Sequence, residues 1–166
     1  MRILGVDPGS LVTGYGVVDQ VGGRLALVDQ GCIRMRRGDL LPARLETIFH
    51  SLGEVIGRHA PSAVAIETPF SGLNPRSLIQ LSQARGVILL AAHTAGIEVF
   101  EYSPRTVKSA VAGYGAAEKN QVAKMVRMLL PGCSDLMLAS DAADALAVAI
   151  CHASSYRLAE KIRIAK

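Results

Sequence analysis

The stretch RILGVDPGSLVTGYGVVDQ, residues 2–20, decides the fold. It opens with a short apolar run, residues 2–7, that ends on a carboxylate at Asp7. Pro8 and Gly9 follow at once, and both residue types interrupt a strand. We therefore predict a buried strand with an acidic side chain at its end.

Two further strands are expected directly downstream. Residues 15–19 and 25–35 are rich in β-branched and apolar residues, which favours strands. The pair Gly22 and Gly23 between them is typical of a tight hairpin turn. The chain is thus predicted to begin with three antiparallel strands.

The rest of the chain alternates between helical and extended patterns. Short strands are predicted over residues 63–66 and 97–102. Apolar residues at helical spacing predict five helices, over residues 41–59, 77–95, 104–111, 117–130 and 141–158. Together these elements predict an α/β fold, a mixed five-stranded sheet with three antiparallel and then parallel strands, flanked by helices. Residues 1–158 are expected to form one domain, and residues 159–166 a basic, mobile tail.

Composition excludes several classes of protein. Half of the 166 residues are hydrophobic, which is typical of one globular domain and not of a disordered chain. The sequence shows no signal peptide and no apolar stretch long enough for a membrane span, so we expect a cytoplasmic protein. The three cysteines, Cys32, Cys133 and Cys151, show no CxxC pattern, which argues against a zinc site. The net charge of +4 is weak support for a polyanionic partner.

Four carboxylates occupy unusual positions: Asp7, Glu67, Asp141 and Asp144. Asp7 and Glu67 follow strands that would emerge at the same sheet edge if the strands are parallel neighbours. Asp141 and Asp144 are three residues apart and share a face at the start of the last helix. Around Asp144 that helix is apolar almost all round, so an unpaired carboxylate there would be costly.

Each acid also has an ordinary interpretation. Asp7 could form an Asx turn, Glu67 could cap a helix, and Asp141 could be a common first-turn acid. Asp144 is harder to explain in this way because its neighbours are apolar. If the four converge, their oxygens would select a hard cation, Mg²⁺ or Mn²⁺. Two such ions suit phosphodiester hydrolysis.

Basic and aromatic residues supply further candidates. Lys119 lies in the first turn of its helix, on the same face as the apolar stripe, which suits a contact with an anionic backbone or a snorkelling side chain. Phe70 follows a turn beside Glu67 and could stack on a base or simply pack in the core. The four histidines, including His152, are expected to be structural.

The helix containing GVILLAAHTA, residues 86–95, is apolar on nearly every side. One face can pack on the sheet, and the other would be exposed in a monomer. The sequence therefore predicts a partner surface, most simply a twofold homodimer.

The motifs resemble the RuvC family of Holliday-junction resolvases over nearly the whole chain. The matching segments, in order, are ILGVDPGSLVTGYGVV, AVAIETPF, QARGVILLAA, SPRTVKSAVAGYGAAEKNQV and SDAADALAVAICHA. The resemblance implies an RNase H-like fold and a homodimer that uses Mg²⁺ to nick two strands of like polarity symmetrically. It also implies cooperation with the branch-migration proteins RuvA and RuvB.

The resemblance assigns roles to particular residues. The four family acids correspond to Asp7, Glu67, Asp141 and Asp144, which would be catalytic and bind metal. The family's two lysines near the scissile strand correspond to Lys108 and Lys119, and its base-contacting aromatic to Phe70. Arg76 joins the DNA-binding candidates, although residues 71–82 depart from many relatives.

Two other functions remain as alternatives. A noncatalytic module that binds four-way junctions would have no use for four carboxylates, which repel phosphate. A sugar-kinase or actin-like ATPase would need two such domains and two phosphate loops, and this chain offers a single DPG motif. Metal-dependent hydrolysis and ATP binding, respectively, discriminate these alternatives from a nuclease.

Overall fold

The computed structural model describes residues 1–69, 74–131 and 139–164, with side chains in the last helix described up to residue 156. Five strands and five helices lie in these ranges. The strands are β1 Arg2–Asp7, β2 Val12–Val21, β3 Arg24–Arg34, β4 Ala63–Glu67 and β5 Glu98–Tyr102. The helices are α1 Leu41–His59, α2 Pro75–Thr94, α3 Pro104–Ala112, α4 Lys119–Leu129 and α5 Ser140–Ile164.

The strands form one mixed sheet in the order β3-β2-β1-β4-β5. The β3-β2-β1 half is antiparallel, and β1, β4 and β5 run parallel. The predicted sheet is confirmed. In it β1 and β4 are parallel neighbours, the condition on which the meeting of Asp7 and Glu67 depended. This pairing brings the ends of the two acid-bearing strands together.

Two hydrophobic cores cover the two faces of the sheet. One core lies between the sheet and helices α3, α4 and α5 and includes Ile3 and Ala65. The other lies under α1 and α2 and includes Leu4 and Val64. Successive residues of a strand point to opposite faces, so the odd-numbered positions of β1 and β4 face α5.

Element boundaries differ from the predictions where local contacts extend them. The second strand begins at Val12 and not at residue 15, because Gly14 continues the pairing with Asp7. Helix α2 begins earlier because the Asn74 side chain accepts the Ser77 N–H and Pro75 fits the first turn. Helix α4 begins later than predicted, because Glu118 forms a capping box with Gln121.

Helix α5 is longer than predicted. It continues to Ile164, beyond the expected end near residue 158 and into the segment expected to be a basic tail. That segment reads AEKIRI over residues 159–164, and most of these residue types are good helix formers.

Helix α2 has one buried and one exposed apolar face. Ala84, Ile88 and Ala92 are fully buried against the sheet side. Ile79 and Leu90 are 59% and 55% exposed. The exposed face predicted from the sequence is therefore present.

Cys32 is half-buried and Cys151 buried, and both are free thiols; Cys133 lies outside the described residues. Among the helices of the described chain, none is long and apolar enough to cross a membrane.

Candidate carboxylate active site

The two strand-end acids lie side by side on the α5 face of the sheet. Val6 and Ile66 are the last register partners between β1 and β4, and Asp7 and Glu67 each follow one residue later. Because side chains alternate along a strand, both acids lie on the face that α5 covers. Parallel pairing and alternation together fix this juxtaposition.

The loop after Asp7 is closed without its carboxylate. The Thr13 hydroxyl donates to the Gly9 carbonyl at 2.9 Å, and the Gly9 N–H points at the Thr13 oxygen at 3.4 Å. That N–H is the donor an Asx turn at Asp7 would use. The ordinary interpretation of Asp7 as a turn residue is thus disfavoured.

A glycine in the sheet lets α5, with its two acids, pack close to this edge. Gly14 pairs with Asp7 across β1 and β2. A Cβ on Gly14 would lie only 2.0 Å from the Asp141 carbonyl oxygen. The first turn of α5 therefore rests on bare backbone next to Asp7, and Asp144 follows one turn later on the same helix.

Electrostatics show that the four carboxylates are close to one another. Burial, followed by repulsion from Asp144, Glu67 and Asp141, raises the pKa of Asp7 to about 8. Burial and repulsion from Asp144 raise the pKa of Glu67 to about 7. A group of acids that resists ionisation in this way attracts cations.

Lys119 provides a cation at the site. Its Nζ lies 2.5 Å from Asp144 Oδ2, while 61% of the lysine side chain stays exposed. Burial lowers the pKa of Lys119, but its hydrogen bond to Asp144 and the charges of Asp144, Asp7 and Asp141 outweigh burial, and the net pKa is raised. The first turn of α4 therefore lies beside the acids, a contact that sequence analysis did not predict. The predicted contact of Lys119 with an anionic backbone stays a prediction.

Two small cavities flank Glu67. One, of about 150 Å³, is bordered by Asp7, Pro8 and Glu67. The other, of about 200 Å³, is bordered by Glu67, Asp144, Lys108 and Lys119. The charged residues around the first cavity are thus all acidic, whereas acids and lysines both border the second.

The donor set suits a hard divalent cation. The four acids offer only oxygen atoms, which Mg²⁺ and Mn²⁺ prefer. Among the residues that the structure describes, no three Asp, Glu, His or Cys side chains are grouped so that they could hold a metal ion, and Asp144 is paired with Lys119 instead. The raised pKa of Asp7 indicates that negative charges at this site lack nearby positive charge. A divalent ion would supply that positive charge.

Sequence analysis missed the support behind Glu67. Tyr102 is the register partner of Glu67, and its carbonyl accepts the Thr68 N–H at 2.9 Å. The Tyr102 hydroxyl lies 2.8 Å from Nδ1 of His152, which is 2% exposed. His152 therefore ties α5 to β5, in agreement with its predicted structural role; a histidine in an apolar helix was the only signal of this contact.

The remaining candidates lie elsewhere. Arg76 is exposed in the first turn of α2. Phe70 lies outside the described residues, so its predicted contact with a base stays a prediction.

Comparisons with known proteins agree over nearly the full chain. A family model for crossover junction endodeoxyribonuclease RuvC matches residues 3–152. The crossover junction endodeoxyribonuclease RuvC of Pelotomaculum thermopropionicum is 47% identical over 164 residues, 99% of each chain. That of Trichlorobacter lovleyi is 49% identical over 158 residues, covering 95% of this chain and 88% of the relative.

A solved structure shares the fold. Thermus thermophilus RuvC in complex with a Holliday junction substrate superposes with a TM-score of 0.89 at 36% identity, covering 96% of each chain. The sheet order and these matches define an RNase H-like nuclease. Within that class, the chain belongs to the RuvC family of crossover junction endodeoxyribonucleases.

Proposed function

We propose that this protein resolves Holliday junctions in homologous recombination and DNA repair. It would nick two strands of like polarity symmetrically and leave 5′-phosphate and 3′-hydroxyl ends. One observation carries the proposal: a chain matched to the family over residues 3–152 also places four interacting carboxylates at one edge of its sheet. The relative seen with a Holliday junction supports the choice of DNA substrate.

The four acids, Asp7, Glu67, Asp141 and Asp144, are proposed to hold Mg²⁺, two ions per site, with Mn²⁺ as a substitute. Bound magnesium activates water and stabilises the oxygen that leaves. The carboxylates would hold the ions, and the phosphodiester would approach through the cavities on either side of Glu67.

Lys119 and Lys108 are proposed to contact the phosphate backbone and the negative charge that develops in the transition state. An ammonium has three N–H donors, so contact with Asp144 leaves donors on Lys119 for a phosphate oxygen. Lys108 lies in the same cavity and lowers the pKa of Glu67.

Partners follow from the same proposal. A homodimer formed through the exposed face of α2 would present two sites to a junction of twofold symmetry. Phe70 and Arg76 would contact the DNA near the crossover. RuvA and RuvB would deliver the junction, and the reaction would take place in the cytoplasm.

The test is the nicking of a synthetic four-way junction by Asp7→Asn, titrated with Mg²⁺. We expect junction binding to persist and cleavage to fall to background, because one metal ligand is lost. Glu46→Gln is the matched control, since Glu46 is exposed on α1, and it should cleave normally.

Full cleavage by Asp7→Asn would remove the metal role of the acids. Binding without cleavage by the unmodified chain at every Mg²⁺ concentration would favour the noncatalytic junction module instead.

A further inference from the structure

A third, larger cavity adjoins the carboxylate site. It has a volume of about 530 Å³ and is bordered by Pro104, Arg105, Lys108, Gly115 and Ala116. It shares Pro104 and Lys108 with the cavity that Glu67 and Asp144 border. Its described lining contains two cations and no acid, so the space leading away from the acids suits an anion.

The Arg105 side chain packs against the backbone of Gly115, where any other residue would have a Cβ. A Cβ on Gly115 would lie 2.5 Å from Arg105 Cγ and 3.1 Å from its Nε. Gly115 does not adopt a left-handed backbone, unlike Gly113, whose φ of 87° ends α3. A Cβ at position 115 would therefore push against the side chains of Arg105 and Ser109, whereas the backbone there would accept one.

The loop that carries Gly115 is fixed to α4. The Tyr114 hydroxyl donates to Gln121 Oε1 at 2.6 Å, and the Glu118 N–H donates to the same oxygen at 3.1 Å. The surface under Arg105 is thus held in place before any ligand arrives, which lowers the entropic cost of binding.

We propose that Arg105, laid across Gly115, and Lys108 bind a backbone phosphate of the DNA strand next to the phosphate that is cut. This inference rests on the proposed function and adds a second phosphate subsite to it. A guanidinium matches the oxygens of a phosphate with two parallel hydrogen bonds. Lys108 borders both cavities, so it lies between the subsite and the carboxylates. The contact is to the backbone and is independent of base sequence.

The experiment measures junction binding against salt concentration in an Asp7→Asn background, which prevents cleavage. Arg105→Gln should weaken binding about tenfold, the effect typical of a lost charged hydrogen bond. The slope of log affinity against log salt should become shallower by about one, since one phosphate contact is lost. Arg24→Gln, which removes the same charge from the distant β2–β3 hairpin, should leave the slope unchanged.

Gly115→Ala tests the packing of Arg105 on Gly115 without changing any charge. It should displace Arg105, weaken binding and make the salt slope shallower in the same direction as Arg105→Gln. Gly53→Ala is the control, because a Cβ there meets nothing within 4 Å. Circular dichroism and urea unfolding establish that each variant is folded.

Wild-type affinity and slope in folded Arg105→Gln would overturn the subsite. Normal binding by folded Gly115→Ala alongside a defective Arg105→Gln would overturn the seating on Gly115. Either result, obtained with a wild-type chain that binds and cuts junctions, leaves the proposed function intact. A wild-type chain that neither binds nor cuts junctions contradicts the proposed function itself.

Discussion

At the scale of single residues, Asp7 is the most constrained side chain of the site. It is half-buried, faces three other acids, and has only Lys119 to offset them among the causes that shift its pKa. The free energy needed to hold the Asp7 carboxyl in this site depends on its charge. Both pH and bound cations should therefore change the stability of the fold. Two predictions follow from its surroundings.

Without divalent ions, the free energy of unfolding should fall as pH rises from about 4 to about 8. In that window the unfolded acids ionise while folded Asp7, with its pKa near 8, and Glu67, near 7, retain protons. Through these two groups the folded state binds more protons than the unfolded state, which lowers stability as pH rises. The lowered pKa of buried His152 opposes part of this change. Urea unfolding at several pH values across this range measures the change in the free energy of unfolding.

Asp7→Asn should flatten this pH dependence, because it removes the larger of the two pKa shifts. Added Mg²⁺ should flatten it as well if the acids bind the ion. A chain that becomes more stable between pH 5 and 8 without metal would contradict the raised pKa values.

Lys119→Met should reduce the cleavage rate by about a hundredfold, the order seen when one charge-stabilising donor is lost. The variant also leaves Asp144 without its cation. Lys124→Met, on the exposed side of the same helix, is the control and should cleave at the wild-type rate. Single-turnover kinetics on a bound junction separate rate from affinity, and equal rates for both variants would remove Lys119 from catalysis.

At the scale of elements, the site depends on how closely α5 approaches the sheet. A Cβ on Gly5 would lie 2.1 Å from the Ala145 carbonyl oxygen, and one on Gly16 would lie 2.5 Å from the Leu146 side chain. These glycines pair with each other across β1 and β2. Bare backbone under the helix lets Asp141 and Asp144 reach the strand-end acids.

Gly5→Ala should destabilise the fold by about 1–3 kcal/mol, the usual cost of overpacking a core. It should also slow cleavage, since α5 must shift away from Asp7. Gly53→Ala, in the exposed part of α1, should instead stabilise by about 0.5–1 kcal/mol because alanine favours helix. Thermal and urea unfolding check both values, and a neutral Gly5→Ala would contradict the close approach.

The sequence predicted the fold more completely than the site. Strand alternation, helical spacing and the Pro8-Gly9 break follow from local physics, and β1 and α1 were predicted to the residue. The meeting of Asp7 with Asp141 could not be derived in this way, because it depends on Gly14 and the packing of α5. The Lys119–Asp144 contact and the seat of Arg105 on Gly115 likewise join distant segments, and no periodicity reports them.

At the scale of the whole molecule, the exposed apolar face of α2 sets the expected assembly. Leu90 and Ile79 lie on this face, more than half exposed, although α2 is otherwise packed on the core. Coverage by a second copy would remove these side chains from water.

If the chain dimerises through this face as proposed, Leu90→Glu should shift it to monomer in analytical ultracentrifugation, because a charge would be buried at the interface. Its fold should be unaffected, since Leu90 is exposed in the single chain. Met128→Glu introduces the same charge at another exposed apolar position and should leave the assembly unchanged. An unchanged sedimentation coefficient for Leu90→Glu would place the dimer contact elsewhere.

The division of the acids between the sheet and α5 has a consequence for biosynthesis. A chain whose strands have paired, but whose final helix has not yet settled on Gly5 and Gly14, holds only half of its carboxylates at the rim. Such a molecule would lack two of the four acids proposed to cut DNA. If the four acids act together as proposed, nuclease activity would require α5 to be packed on the sheet.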